Sequence, residues 1–255
     1  MCELFAVSSD NSIRLNGLLN VFYGRSVDNP HGWGIARLEG RKAEIIKEAV
    51  RASDSPVLKA VLQSQVKAST LMAHIRYATI GNTEYVNCHP FSGKTVCGRR
   101  VTLMHNGTVF ESDQLGRYVR RQEGDTDSEK ILLYILDRLN EAESKGDDGE
   151  EARLKIYEDV IAQLAAGNKL NLIFYDGELL CAHTNYRKSL YERRHNNTTM
   201  IATRPLTGGE WIELPFTSLC AYKNGIRVHT GEAHGQEFID NEEKFKLLYR
   251  AYSYL

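Results

Sequence analysis

The sequence has no apolar stretch approaching the roughly 18 residues that a membrane-spanning helix requires, so no membrane span is expected. It also lacks an excess of either charge. Lys and Arg number 32 against 33 for Asp and Glu, a formal balance of −1, which argues against the basic surface of a nucleic-acid binder. Its five prolines, at positions 30, 56, 90, 205 and 215, are scattered, and there is neither a Pro- or Gly-rich linker nor an internal repeat. Five cysteines, Cys2, Cys88, Cys97, Cys181 and Cys220, make an odd number without a Cys-x-x-Cys pair, which excludes a disulfide framework as the organising element. Cys88, His89, Cys97 and His105 fit no familiar zinc spacing, so no metal and no cofactor is expected. The opening residues carry Glu3 and no basic lead-in, unlike a secretory leader, and no apolar leader precedes Cys2; the expected location is the cytoplasm.

What remains is 255 residues, 42% hydrophobic and 25% charged, an ordinary composition for a globular chain able to bury a core. Strands are expected at 3–8, 33–37, 42–47, 70–77 and 101–105. Ser55 and Pro56 open a helix over 56–66. The clearest helix runs from Asp127 to about Glu143, with Ile131, Leu132, Tyr134, Ile135 and Leu139 at helical spacing, and a second covers 150–165. The acidic run 141–151 between them reads as a solvated loop. Strands return at 171–175 and 178–183 around Asp176-Gly177, then at 198–203, 211–214, 217–222 and 226–230, before a closing helix near 240–252. Strands, two central helices and more strands give an α+β order, expected as a single domain over 1–255.

Five short segments carry groups suited to chemistry. Cys2 reads either as an unremarkable terminal residue or as a nucleophile. If Met1 is removed, thiol and free α-amine share one residue, and an amine of reference pKa near ~7.7–8 can accept the thiol proton; while Met1 is attached, that nitrogen is an amide. Arg76, in His74-Ile75-Arg76-Tyr77-Ala78-Thr79, is either a surface ion-pair partner or a planar fork for a carboxylate. Asn87-Cys88-His89-Pro90-Phe91 is a tight loop. Asn106-Gly107 is either a hairpin turn or a pair of donors, a side-chain amide beside a backbone N–H, able to hold an oxyanion. Asp125-Thr126-Asp127 is a helix cap with one carboxylate more than a cap needs. An Arg for a carboxylate and an Asp for an amine suit a free α-amino acid.

The order of these segments resembles that of the class II glutamine amidotransferases, which belong to the N-terminal-nucleophile hydrolases. His31-Gly32-Trp33-Gly34-Ile35-Ala36 and Ala202-Thr203-Arg204-Pro205-Leu206 with Trp211 extend the resemblance from residue 2 to about 230. It implies a four-layer αββα sandwich. In that family Cys2 would attack the side-chain amide of L-glutamine, forming a γ-glutamyl thioester and releasing ammonia. Asn106 and Gly107 match the oxyanion pair, Arg76 the α-carboxylate clamp, Asp127 the α-amine partner, and Thr79 and His89 the pocket lining. Two positions depart from the pattern: Tyr77 stands where many synthase-linked members have tryptophan, and His31 where an acidic residue is common. The length resembles that of stand-alone members. Such a chain either passes ammonia to a separate synthase or hydrolyses a γ-glutamyl amide with water; a glutamine-sensing subunit without catalysis is the alternative from another class. Homodimerisation is a family expectation.

Overall fold

The computed structural model describes residues 2–240. The chain forms β1 (Glu3–Arg14), α1 (Asn16–Tyr23), β2 (Trp33–Glu39), β3 (Lys42–Glu48), α2 (Pro56–Gln63), β4 (Lys67–Ile75), β5 (Phe91–Lys94), β6 (Arg100–Thr108), α3 (Asp127–Glu143) and α4 (Glu150–Ala165). It continues through β7 (Lys169–Tyr175), β8 (Leu180–His183), β9 (Tyr191–His195), β10 (Thr198–Ala202), β11 (Ile212–Glu213), β12 (Leu219–Lys223) and β13 (Ile226–Thr230). These strands make two antiparallel sheets, a seven-stranded one ordered β11-β9-β10-β1-β4-β2-β3 and a six-stranded one ordered β13-β12-β8-β7-β6-β5.

Strand periodicity sorts alternate side chains into separate cores. On β1, Phe5 and Val7 join the cluster beneath α1 and α2, whereas Leu4 and Ala6 point the other way into a cluster shared by both sheets. On β7, Ile173 and Tyr175 enter the inter-sheet cluster, while Leu170, Leu172 and Phe174 meet Ile131, Ile135, Tyr157 and Ile161 of α3 and α4. Three apolar layers therefore separate four structural ones, in the order α, β, β, α. Central strands covered on both faces read as near-continuous apolar runs. Each such Leu, Ile or Phe contributes about 1.5–3 kcal/mol on burial.

Several elements differ from the sequence expectation. Helix α2 stops at Gln63 rather than at 66, and Asn16 Nδ2 donates to the carbonyls of Leu62 (2.9 Å) in its last turn and of Ser64 (2.7 Å) just beyond it. The Asp176-Gly177 turn is longer than a two-residue hairpin: Asp176 Oδ1 accepts from the N–H groups of Glu178 (2.9 Å) and Leu179 (2.8 Å), so β8 starts at Leu180. Helix α1 was not expected; Leu15 opens it without a side-chain cap, though Leu15, Leu19 and Phe22 carry a helical spacing. The short strands β5 and β9 were not expected either. Within the acidic run, Glu143 accepts from Thr95 Oγ1 (2.8 Å) and Glu150 pairs with Lys223 (2.9 Å), so it is not wholly a solvated loop. The helix expected at 240–252 lies outside the described residues apart from Asp240, which is not helical.

The Gly-Trp-Gly element has a steric basis. A Cβ on Gly34 would sit 2.0 Å from the His89 carbonyl oxygen, and one on Gly32 would sit 2.6 Å from Cys88 Sγ. Both glycines let β2 lie directly against the 88–90 loop, while Trp33 between them is fully buried. Gly34→Ala is expected to lower unfolding free energy by about 1–3 kcal/mol or more, because backbone rather than a side chain blocks the methyl; a urea melt checks this.

Candidate active site

The start of β1, the end of β4, the end of β6 and the N-terminus of α3 converge on one cleft. It encloses about 540 Å³ with its open mouth and is lined by Cys2, Arg76, Thr79, Asn106, Gly107 and Asp127, among others. Register explains the convergence. Glu3 pairs with Ile75 across β1 and β4, so Cys2 and Arg76 emerge side by side at the same sheet edge.

Cys2 is half-buried, and its Sγ is bracketed by a single residue. The thiol donates to the Tyr77 carbonyl (3.3 Å), and the Tyr77 N–H donates to Sγ (3.2 Å). Burial pushes the thiol pKa up, against the Tyr77 backbone bond, which favours the thiolate.

Arg76 is buried, 2% exposed, which rules out the surface ion-pair reading. Its Nη1 donates to the Asn82 carbonyl (2.9 Å) and its Nη2 to those of Ile80 (3.2 Å) and Gly81 (3.1 Å). The 80–82 turn thus fixes the guanidinium plane with neutral acceptors, which a carboxylate would outcompete because charge-assisted bonds are roughly twice as strong. The turn is tied to the α3 entrance: Asp125 Oδ2 accepts from Asn82 N (3.4 Å), and Asn87 Nδ2 donates both to the Asn82 carbonyl (3.0 Å) and to Asp125 Oδ1 (2.6 Å). Gly81, at φ +82°, passes so close that a Cβ would lie 2.6 Å from Asp125 Oδ1.

Asn106 lies within β6, opposite Asn171 of β7, so it does not form the tip of a hairpin. The next position admits only glycine: a Cβ on Gly107 would lie 1.9 Å from the Lys169 carbonyl oxygen. His105 is held at both nitrogens, and because a carbonyl only accepts, Nε2–H donates to Lys169 O (3.0 Å), leaving Nδ1 to accept from the Ser128 hydroxyl (3.1 Å). Burial holds its pKa below the ordinary histidine value, against the pull of Asp127.

Thr126 caps α3 by accepting from Glu129 N (3.2 Å), as the capping pattern requires. Asp127 then lies in the first turn with its carboxylate turned into the cleft region, where Oδ2 accepts from Val109 N (2.7 Å). The helix N-terminus adds favourable potential for its negative charge.

A family model described as glutamine amidotransferases class-II matches residues 1–196. The chain belongs to the class II glutamine amidotransferases. YafJ of Escherichia coli, provisionally named a glutamine amidotransferase, is 29% identical over 241 residues, covering 82% of this chain and 92% of its own. The crystal structure of a predicted glutamine amidotransferase from Pseudomonas aeruginosa superposes with a TM-score of 0.61 at 23% identity, over 89% of this chain and 100% of that one. Phosphoribosylpyrophosphate amidotransferase from Bacillus subtilis gives a TM-score of 0.68 at 15% identity, over 93% of this chain but only 50% of its own. The fold is that of the N-terminal-nucleophile hydrolases, and the chain is an enzyme domain of the amidotransferase family.

In this amidotransferase the seven residues singled out from sequence, Cys2, Arg76, Thr79, His89, Asn106, Gly107 and Asp127, all border the one cleft. Thr79 is half-buried on the 77–81 segment. His89 is buried, with its ring 4.2 Å from that of His74 and 4.7 Å from Phe91; among the described residues neither ring nitrogen has a hydrogen-bond partner. Burial and the neighbouring His74 hold His89 neutral, its pKa well below the usual value. The grouping of Cys88, His89, Cys97 and His105 does not assemble: Cys97 is exposed at the 95–98 turn, while both histidines border the cleft. Among the described residues no cluster of three or more His, Cys, Asp or Glu groups is arranged to hold a metal, and no helix is long and apolar enough to cross a membrane.

Lys169 escaped the sequence reading. It opens β7, is 2% exposed, lines the cleft and sets its Nζ 3.7 Å from the Tyr186 ring centroid. Burial lowers its pKa to about 8, partly offset by Asp240 and Cys2. The signal available was a lone lysine heading the run Leu170–Tyr175, where Asn171 alone interrupts the apolar residues; a lysine is seldom buried.

Proposed function

We propose that this chain is a glutamine-hydrolysing amidotransferase unit, comprising one domain over residues 1–255 and acting from Cys2 after loss of Met1. The carrying observation is the convergence of Cys2, Arg76, Asn106, Gly107 and Asp127, drawn from three strand ends and one helix start, on a single cleft. The Cys2 α-amine takes the thiol proton, and Sγ attacks the side-chain carbonyl carbon of L-glutamine. The resulting oxyanion is held by the Asn106 amide and the Gly107 N–H. Collapse breaks the C–N bond, the amine returns its proton to the leaving group, and ammonia departs from a γ-glutamyl thioester. Water, deprotonated by the same amine, then releases glutamate. Arg76 takes the α-carboxylate, Asp127 the α-ammonium group, and Thr79 and His89 shape the pocket.

YafJ, whose name also assigns it to the glutamine amidotransferases, is matched over 92% of its own length, which supports assigning this domain to the same kind of unit. Ammonia then goes to a separate synthase or to solvent. The reading keeps the protein in the cytoplasm, and homodimerisation accords with it.

The competing reading within this fold is hydrolysis of a γ-glutamyl amide whose leaving group is larger than ammonia. Initial rates on L-glutamine and on γ-glutamyl-cysteine conjugates separate the two. Glutamine is expected to have the higher kcat/KM; faster turnover of the conjugates would overturn this choice.

A further inference from the structure

We infer that His31 is a positioning residue whose unprotonated Nδ1 holds the 77–79 segment against the nucleophile. This rests on the reading of Cys2 as the nucleophile.

The connection is short and continuous. His31 and Gly32 prolong the pairing of β2 with β4: the His31 N–H donates to the Arg76 carbonyl (3.2 Å) and the Arg76 N–H to the Gly32 carbonyl (2.8 Å). That pairing fixes where the His31 ring stands. The Ala78 N–H donates to His31 Nδ1 (3.0 Å), and the ring meets the Tyr77 ring edge-on with centroids 5.2 Å apart. Ala78 directly follows Tyr77, whose N–H and carbonyl bracket Cys2 Sγ. One imidazole nitrogen therefore anchors the peptide next to the one that orients the thiol. An aspartate could accept the same N–H, but it would bring a negative charge toward the developing thiolate; a neutral imidazole does not.

The arrangement dictates a tautomer and a sign. Nδ1 accepts, so the proton sits on Nε2 in the neutral ring. The facing charged and titratable groups are the Arg76 guanidinium at the end of β4, the Tyr77 phenol, and the Cys88 thiol packed on Gly32. Burial and then Arg76 hold His31 below its ordinary value of 6.5, so the bond persists through neutral pH. As pH falls through the His31 pKa, Nδ1 gains a proton, two donors face each other, and the 77–79 segment loses its anchor. The Tyr77 N–H then no longer supports the Cys2 thiolate.

The test is the rate of Cys2 alkylation by iodoacetamide against pH, read by mass spectrometry on the Cys2-containing peptide, in the wild type, His31→Asn and His31→Ala. Asparagine presents an acceptor oxygen that does not titrate. In the wild type the logarithm of the rate is expected to fall more steeply than slope one as pH drops through the His31 pKa, losing about one extra decade there, because ionisation of Cys2 and of His31 both contribute. His31→Asn is expected to react within about threefold of the wild type at neutral pH but with slope one, and His31→Ala about tenfold more slowly at neutral pH, the cost of one lost hydrogen bond at a reacting group. A wild-type slope of one, or equal neutral-pH rates for the two variants, would overturn the inference. Iodoacetamide does not depend on glutamine recognition: a wild type inert toward glutamine that still shows these slopes defeats the substrate reading and supports the His31 anchor.

Discussion

Cys2→Ala is expected to lower glutamine hydrolysis by on the order of 10⁴- to 10⁶-fold, the usual consequence of removing a covalent nucleophile. The size of the loss follows from the absence of a substitute: within the cleft Cys88 is not a lining residue, and Cys97 is exposed at a distant turn. Stability should barely change, because the Cys2 side chain bonds to the Tyr77 main chain alone among the described residues. Cys2→Ser separates position from reactivity. Its hydroxyl can keep both Tyr77 bonds, yet its much higher pKa leaves it almost wholly un-ionised, so activity should fall by a similar order with the fold intact. Ammonia release in a coupled assay, alongside a thermal melt, checks both variants. Activity of Cys2→Ala within tenfold of the wild type would remove Cys2 from the mechanism.

Asn106→Ala is expected to lower kcat by about 10²–10³-fold, some 2.7–4 kcal/mol, with a smaller change in KM. The asymmetry is the informative part. An oxyanion donor makes its best hydrogen bond only when the carbonyl oxygen has taken up charge, so deletion costs the transition state and not the bound substrate. Gly107, the other donor, cannot be tested by a side-chain deletion, and Gly107→Ala would misfold locally because the added methyl meets the Lys169 carbonyl and His105 Nε2. Were Asn106 merely a turn former, alanine would alter stability and leave kcat unchanged. Its position inside the β6–β7 ladder already speaks against a turn. Steady-state kinetics on glutamine decide it.

The four-layer order came from a resemblance carried by Cys2, Arg76, Asn106-Gly107 and Asp127, not from periodicity. Periodicity located β1, β4, β6, β7, α3 and α4, whose apolar residues sort cleanly onto one core or another. It failed where an element is short or lies at a sheet edge. Strands β5 and β9 carry Ser92, Gly93, Lys94, Arg193 and Arg194, and their backbone partners rather than their side chains make them strands. Residues with chemically distinctive side chains were legible at the site for the opposite reason. Arg76 and Asp127 each had an ordinary reading, a surface ion pair and a helix cap, and stood out because an Arg for a carboxylate and an Asp for an amine suit an α-amino acid. The Tyr77 bracket around Cys2 and the His31–Ala78 bond were not legible, because both depend on main-chain groups that every sequence has.

The most direct test of the account is the intact mass of the purified protein after exposure to a diazo-ketone analogue of glutamine, with Cys2→Ala in parallel. The account predicts a chain lacking Met1 that gains one adduct, and a control that gains none. A chain that keeps Met1 and forms no adduct would contradict it, since the amine that serves as base would not exist, and would leave glutamine binding without catalysis as the role of the cleft.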